Sequence, residues 1–262
     1  MKRFVKTILR HFGVDLVRWA PVESGRSSRT TALSYFETMT GNYYLPRDAH
    51  GDLIAGAIRA NRVFDEEIVN VAKQYIKPAT AVLDVGANFG QMSILFSNIV
   101  GERGKVYSFD ADDFVFDILT KNIEANHRKD RVVPIFGAVH DVSQQTLYFP
   151  VQDFVRFQSY GSYGIDYNGT RGRPVPTITI DSLAIAEPIS FMKVDVQGGD
   201  LHAMRGAVAT IAKNRMPIIF EYEYQFETEL KLNFQEYVDF VSQIEYRFES
   251  VINGYNYLIV PR

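Results

Sequence analysis

Short β-branched runs alternate with segments of helical period along most of this chain. "TAVLDVG" (Thr80 to Gly86) reads as a buried strand, and "GQMSILFSNIV" (Gly90 to Val100) then sets Met92, Leu95, Phe96 and Ile99 on one helical face. "GKVYSFD" (Gly104 to Asp110) is the next strand, followed by a helix from Asp112 to about Asn126 with Phe114, Ile118, Leu119 and Ile123 inward. "RVVPIFGAV" (Arg131 to Val139) supplies a third strand, and Pro134, which has no amide donor, places it near a sheet edge. The rhythm then changes. "QTLYFP" and "PVPTITI" alternate like antiparallel strands around an inserted loop at about 150–175 that is rich in Tyr, Gly and Arg. The β-α pattern resumes with "ISFMKVD" (Ile189 to Asp195), a helix from Asp200 to about Asn214, "PIIFEYE" (Pro217 to Glu223) and a helix near Phe234 to Ile244. Two strands around Asn253-Gly254, a dipeptide that favours tight hairpins, close the chain.

This order predicts an α/β fold: a doubly wound, mostly parallel sheet with helices on both faces and one reversed strand in a terminal hairpin. Upstream, Leu53, Ile58, Val63, Ile68, Val71 and Ala72 recur at helical spacing, which makes 32–79 a cap of helices over one edge of the sheet and 80–262 the main domain. Residues 1–31 stand apart. In "MKRFVKTILRHFGVDLVRW", Phe4, Val5, Ile8, Leu9 and Phe12 share a helical face, with Lys2, Arg3, Lys6 and Arg10 between them, and the polar stretch "ESGRSSRTT" follows as a linker. Such a basic amphipathic helix either rests on an anionic membrane surface through residues 2–12 or docks on its own domain or a partner. No apolar run is long enough for a signal-peptide core or a membrane span, so the expected location is cytoplasmic, with peripheral contact to the inner face of the membrane as the alternative.

Composition narrows the chemistry. The 262 residues are 46% hydrophobic, enough for one large core. A net charge of −3 with mixed signs gives no electrostatic reason to expect nucleic acid as a partner. The absence of cysteine excludes disulfides, Cys-ligated zinc and thiol nucleophiles.

In an open α/β sheet, ligands settle outside the carboxyl ends of the strands where the strand order reverses. The turn "LDVGANFGQ" is placed there: Asp84 ends a strand, Gly86 lets a ligand approach the backbone, and Gly90 opens a helix whose amides can attract an anion. Ala87-Asn88 stands where a dinucleotide fingerprint needs its middle glycine, so nicotinamide and flavin are disfavoured. Asp84 instead suits a ligand carrying a cationic amine, such as S-adenosylmethionine. Asp110, ending the next strand, is placed to accept hydrogen bonds from ribose hydroxyls.

Taken in order, "VLDVGANFG", "YSFDAD", "GAV", "TIDSL", "MKVDVQGGDLHAMRGA" and "IIFEYE" resemble the FkbM-type S-adenosylmethionine-dependent methyltransferases over roughly Thr80 to Pro261. The resemblance implies the class I methyltransferase fold, with seven strands in a Rossmann-like sheet. It implies cofactor contacts from Asp84, Gly86, Ala87, Asn88 and Gly90, from Asp110 and Ala111 at the ribose, from Gly137, Ala138 and Val139 near the adenine, and from Asp195. Two positions depart from the family's pattern: Asp110-Ala111 replaces a frequent Glu-Pro, and Gln197 replaces the usual Glu.

The expected activity is O-methylation of a hydroxyl, with S-adenosylhomocysteine as the other product. The acceptor is a sugar of a surface glycan or glycolipid precursor, or a polyketide-type small molecule; N-methylation and a non-catalytic cofactor-binding scaffold are the rival readings. Asp195 is the candidate base, Lys193 lies two residues earlier on the same side of the strand, and His140 follows the third strand as another candidate. His202 reads as a structural histidine. Acceptor contacts are expected from Tyr44, Arg156, Tyr160, Tyr163, Gln197 and Glu221, with the inserted loop as a lid. Asp200 and Glu221 with Asp195 form an acidic group that would suit Mg²⁺, although Gln197 weakens that reading and no residue is assigned as a metal ligand.

Overall fold

The computed structural model describes residues 32–150, 159–167, 169 and 172–262, so the basic segment 2–12, the linker and Arg156 lie outside the described residues. A hairpin of β1 (Leu33–Thr38) and β2 (Gly41–Pro46) comes first, then helices α1 (Leu53–Arg59) and α2 (Glu66–Tyr75). Next come β3 (Ala81–Val85), α3 (Gln91–Val100), β4 (Lys105–Asp110), α4 (Asp113–Ala125), β5 (Val132–Phe136) and β6 (Ala138–Val139). After β7 (Thr146–Phe149) and β8 (Arg173–Ile178), β9 (Ile189–Val194) leads into α5 (Asp200–Arg205), α6 (Val208–Asn214) and β10 (Ile218–Glu221). The chain closes with α7 (Phe234–Gln243), β11 (Tyr246–Ile252) and β12 (Asn256–Pro261).

Among the described residues the main sheet has seven strands in the order β11-β12-β10-β9-β3-β4-β5. β3, β4, β5, β9 and β10 are parallel, and β12 runs antiparallel between β10 and β11. The expected reversed terminal strand is therefore present, and Asn253 and Gly254 both take positive φ at the hairpin tip. Pro134 sits in β5, the edge strand, where its missing N–H costs no ladder bond. Because side chains alternate along a strand, Leu83, Met192 and Ile218 pack against α5, α6 and α7, while Val82, Phe191 and Ile219 pack against α2 and α3. The strand order reverses between β3 and β9, and the carboxyl ends of these two strands form the crevice.

Four sequence expectations need correction. The cap at 32–79 opens on the β1-β2 hairpin rather than a helix; Asn122 of α4 and Asn126, which caps its end, hydrogen-bond the hairpin backbone at Tyr44 and Asn42, an anchor supplied from far along the chain. Leu53 is 65% exposed and faces away from the sheet. The third strand stops at Phe136, and Ala138–Val139 leave the sheet to pair with β8. The expected helix from Asp200 to Asn214 is two helices, because the Gly206 carbonyl accepts the Asp181 amide and the Asp181 carboxylate caps Ala209 and Thr210 at the start of α6.

Candidate active site

A cleft enclosing about 950 Å³, partly open to solvent, lies over the crevice. Its floor is the turn after β3. The amides of Gly86 and Ala87 both donate to the Phe109 carbonyl at the end of β4, at 3.0 and 2.8 Å. Asn88 N–H donates to Asp110 Oδ2 at 2.9 Å, and Phe89 N–H to Asn88 Oδ1 at 2.7 Å. Every amide of the turn is thus occupied by protein, so the turn offers shape rather than an anion hole. Gly86 has φ +82°, and a Cβ there would run into the Asp195 carbonyl oxygen. The turns after β3 and β9 are packed backbone to backbone, and Asp195 N–H reaches the Val85 carbonyl at 3.0 Å.

Gly86, Ala87, Asn88, Asp110, Ala111, Gly137, Ala138, Val139, Lys193, Asp195, Gln197, Tyr160 and Tyr163 all line the cleft. Asp110 accepts one backbone amide on each oxygen, from Asn88 and Asp112, and burial pushes its carboxyl up to about 7. Asp84 and Gly90 do not line the cleft. Asp84 is fully buried behind the turn, where its Oδ2 accepts the Ser93 hydroxyl at 2.5 Å and its Oδ1 has no hydrogen-bond partner. Burial raises its pKa. Its nearest cation is Lys193, its register partner on β9, with Nζ 4.0 Å away.

Lys193 is the hinge between the two turns. Its Nζ donates to the Gly86 carbonyl at 2.9 Å and lies 3.1 Å from Asp195 Oδ2. Burial works to lower the ammonium's pKa, but the Asp195 and Asp84 carboxylates outweigh it and hold the group above its ordinary value, so the charge is retained. The Asp195 side chain keeps about a quarter of its surface open. Its other oxygen accepts Gln197 Nε2 at 3.2 Å, and the same amide nitrogen donates to Glu221 Oε2 at 3.0 Å. A glutamate at 197 would have to carry a proton to make even one of these bonds. Glu221 itself stands behind Gln197 and off the cleft wall; burial, then the charges of Asp195, Glu223 and Asp200, raise its carboxyl well above the usual range.

The Mg²⁺ group does not converge. Asp200 is buried and accepts backbone amides from Glu221 at 3.1 Å and Val196 at 3.4 Å, which makes it a brace for the turn. Among the described residues, the His, Asp and Glu side chains close enough to share a metal ion are His140, Asp141 and His202, away from Asp195. His140 does not line the cleft; it stacks on Tyr167, which does. Tyr44 is also off the cleft, against Tyr35 and under the Lys121 ammonium.

The inserted loop forms a wall in contact with both turns. Tyr160 N–H donates to Asp52 Oδ2 at 2.6 Å, and its ring stacks on Phe114 and meets Phe89 edge-on. A Cβ on Gly164 would come within 2.7 Å of the Gln197 carbonyl, so only glycine lets the loop lie this close. Arg173 makes a bidentate pair with Asp112 at 3.1 Å, which commits it to the loop's base. Sequence reasoning missed Phe64, Gln91, Met92, Phe149 and Ile165 on the cleft wall. It also missed Asp52, whose carboxylate caps α1 and holds Tyr160. An Asp three residues before Ala55 at a helix start was the available signal for the cap, but nothing local announces the second bond.

Residues 84–248 match the family model for the methyltransferase FkbM domain. The chain belongs to this family. The match runs from Asp84 into β11 and so includes both turns, the inserted loop and Asp195. As an FkbM-domain protein, the chain is a methyltransferase. No curated protein matches it by sequence. Solved structures similar to this FkbM domain include a methyltransferase FkbM from Methylobacillus flagellatus (13% identity over 73% of this chain and 49% of that one, TM-score 0.47). An O-methyltransferase from Bacillus cereus in complex with SAH gives 13% identity over 76% of this chain and 80% of that one, TM-score 0.47. A Clostridium thermocellum protein described as an rRNA methylase gives 14%, 75%, 93% and 0.49. All three TM-scores fall below 0.5, and the family assignment rests on the sequence match.

Proposed function

We propose that the cleft takes S-adenosylmethionine and that this methyltransferase modifies a hydroxyl group at its Asp195 end. One observation carries the reading: a single cleft joins Asp110 at the end of β4, the Gly86–Asn88 turn and the Gly137–Val139 wall to Asp195 at the end of β9. When bound, the cofactor supplies an activated methyl group on a sulfonium. Asp110 suits the ribose hydroxyls, Ala138 and Val139 give an apolar seat for a flat base, and the acids near Asp195 favour a positive charge.

The protein's part in the transfer is alignment and proton removal. Holding the acceptor oxygen in line with the methyl group and sulfur converts an encounter into an intramolecular step. With the cofactor bound, transfer of its methyl group to the acceptor oxygen would free the hydroxyl proton, and Asp195 would take it up. Lys193 and Gln197 each hold one Asp195 oxygen, which fixes the carboxylate's plane without closing its exposed edge. A sugar hydroxyl fits this end best, since Asp195, Gln197 and Tyr163 offer hydrogen-bonding groups and a ring face on one wall. A glycan or glycolipid precursor at an anionic membrane surface would also give the basic segment 2–12 a role. Among the described residues, no helix is long and apolar enough to cross a membrane.

Turnover of a panel of nucleotide sugars and glycans, with Asp195→Ala in parallel, tests this. The variant should lose about 10² to 10⁴-fold in kcat. Equal turnover would remove Asp195 from the chemistry; cofactor binding with no turnover on any hydroxyl acceptor would favour a binding scaffold.

A further inference from the structure

Behind the Asp195 end of the cleft stands a second carboxyl group, Glu221, that the transfer described above does not use. β9 and β10 are parallel neighbours with Phe220 beside Val194, so the residues that follow, Glu221 and Asp195, leave the sheet side by side. One amide nitrogen bridges them: Gln197 Nε2 lies 3.2 Å from Asp195 Oδ1 and 3.0 Å from Glu221 Oε2. Gln197 makes this bridge from φ +54°, a conformation uncommon outside glycine. The two carboxyls are also in hydrogen-bond reach of each other, and that bond exists only when one of them carries a proton. We propose that Asp195 and Glu221 share one proton, with Glu221 the neutral member and Asp195 the charged one, which makes Glu221 a positioning residue for methyl transfer.

The groups around each carboxyl decide where the proton sits. Asp195 has the Lys193 ammonium 3.1 Å from Oδ2 and part of its surface in solvent, both of which favour its charge. Lys193 also acts on Glu221, but its ion pairs are with Asp195 and Asp84. What otherwise faces Glu221 is acidic or neutral: Asp195 across the bridge, Asp200, whose Oδ1 accepts the Glu221 amide at 3.1 Å, Glu223 on the same segment, and the Tyr255 hydroxyl from the terminal hairpin. Its register partner on β12 is the neutral Asn256. Burial first, and then the charges of Asp195, Glu223 and Asp200, raise the Glu221 carboxyl well above its ordinary value, the direction that keeps a proton on it.

The pair then carries one negative charge instead of two, and its neutral acid is a third donor to Asp195 beside Lys193 and Gln197. On taking the acceptor's proton Asp195 becomes neutral while Glu221 keeps its own, so the pair passes from one proton and one charge to two protons and none. The negative charge lost equals the positive charge lost from sulfur, and the site's net charge is unchanged across the step. This role rests on the reading of Asp195 as the base.

Infrared difference spectroscopy of the full-length protein against Glu221→Gln at pH 7 tests the shared proton without any acceptor. The unaltered protein should show the carbonyl band of a protonated carboxyl that the variant lacks, and the band should fade as pH rises. A carboxyl that holds its proton more tightly in the fold favours folding at low pH and loses that contribution as pH rises. The urea midpoint of Glu221→Gln, relative to the unaltered protein, should therefore move in the variant's favour from pH 5 to pH 9. On a hydroxyl acceptor from the sugar panel, Glu221→Ala should cost at least about tenfold in kcat at pH 7. Glu221→Gln should restore most of that loss and should lack the fall in kcat that the unaltered protein shows over the range where the band fades. Absence of a Glu221-dependent band, or the same alkaline fall in Glu221→Gln, would overturn the proposal. A clear band with no turnover on any hydroxyl would uphold the shared proton and count instead against hydroxyl methylation.

Discussion

The turn after β3 and the turn after β9 meet across the crevice, yet they are built on opposite electrostatic terms. In the first, the carboxylates lean on neutral donors: Asp84 Oδ2 takes the Ser93 hydroxyl while its Oδ1 has no hydrogen-bond partner, and each Asp110 oxygen receives a backbone amide. In the second, Asp195, Asp200 and Glu221 crowd together with one amide, Gln197, and one ammonium, Lys193, between or beside them. The first turn has its backbone amides satisfied by the protein, as suits a cofactor of constant shape. The second is held at higher electrostatic cost, and donors on an acceptor can relieve it.

The contact between the turns is the place to break this arrangement most severely. Gly86→Ala would drive a methyl group into the Asp195 carbonyl at a positive φ, and the expected loss is about 4 kcal/mol or more in denaturant unfolding. A fully stable variant would mean that the two turns are not packed as described. Lys193→Met comes next, at about 3 kcal/mol, because it leaves Asp84 and Asp195 without their buried cation. Asp84 would take up a proton in response, so the loss should be smaller at pH 5 than at pH 8.

Gln197→Glu tests the second turn alone. It replaces a donor shared by two carboxylates with a third carboxylate, and should cost about 1 to 2 kcal/mol near pH 8 and less at pH 5, where the new group is protonated. Cofactor affinity should not change, since the first turn is untouched.

The smallest effect concerns Asp110 and Asp200, whose carboxyls burial pushes up to about 7. The folded protein keeps protons there that the unfolded chain releases near 3.8, so these groups favour folding at low pH, and that contribution is lost as pH rises from about 4 to about 7. Cofactor hydroxyls donating to Asp110 favour its charged form. Affinity should therefore rise about five- to tenfold between pH 6 and pH 8, with proton release visible when calorimetry is repeated in buffers of different ionisation enthalpy.

The sheet was legible in the sequence because each strand carries its own burial signal, and even Pro134 marked its edge. The turns were legible as positions but not as contacts. Asp84 lies one residue before the end of β3 rather than at it, and the register with Lys193 and the serine on α3 turn it away from the cleft. The β1-β2 hairpin and the break at Gly206 depend on Asn122, Asn126 and Asp181, partners that no local pattern announces. His140 read as a candidate base and His202 as a structural histidine, because only the fold brings their rings together.

The central claim, that the satisfied turn holds the cofactor through Asp110, has a direct test in titrating S-adenosylhomocysteine into the unaltered protein and into Asp110→Ala at pH 8. One-to-one binding that weakens at least tenfold in the variant, with the fold intact by circular dichroism, is the predicted result. No binding to the unaltered protein, or the same affinity in both, would contradict it.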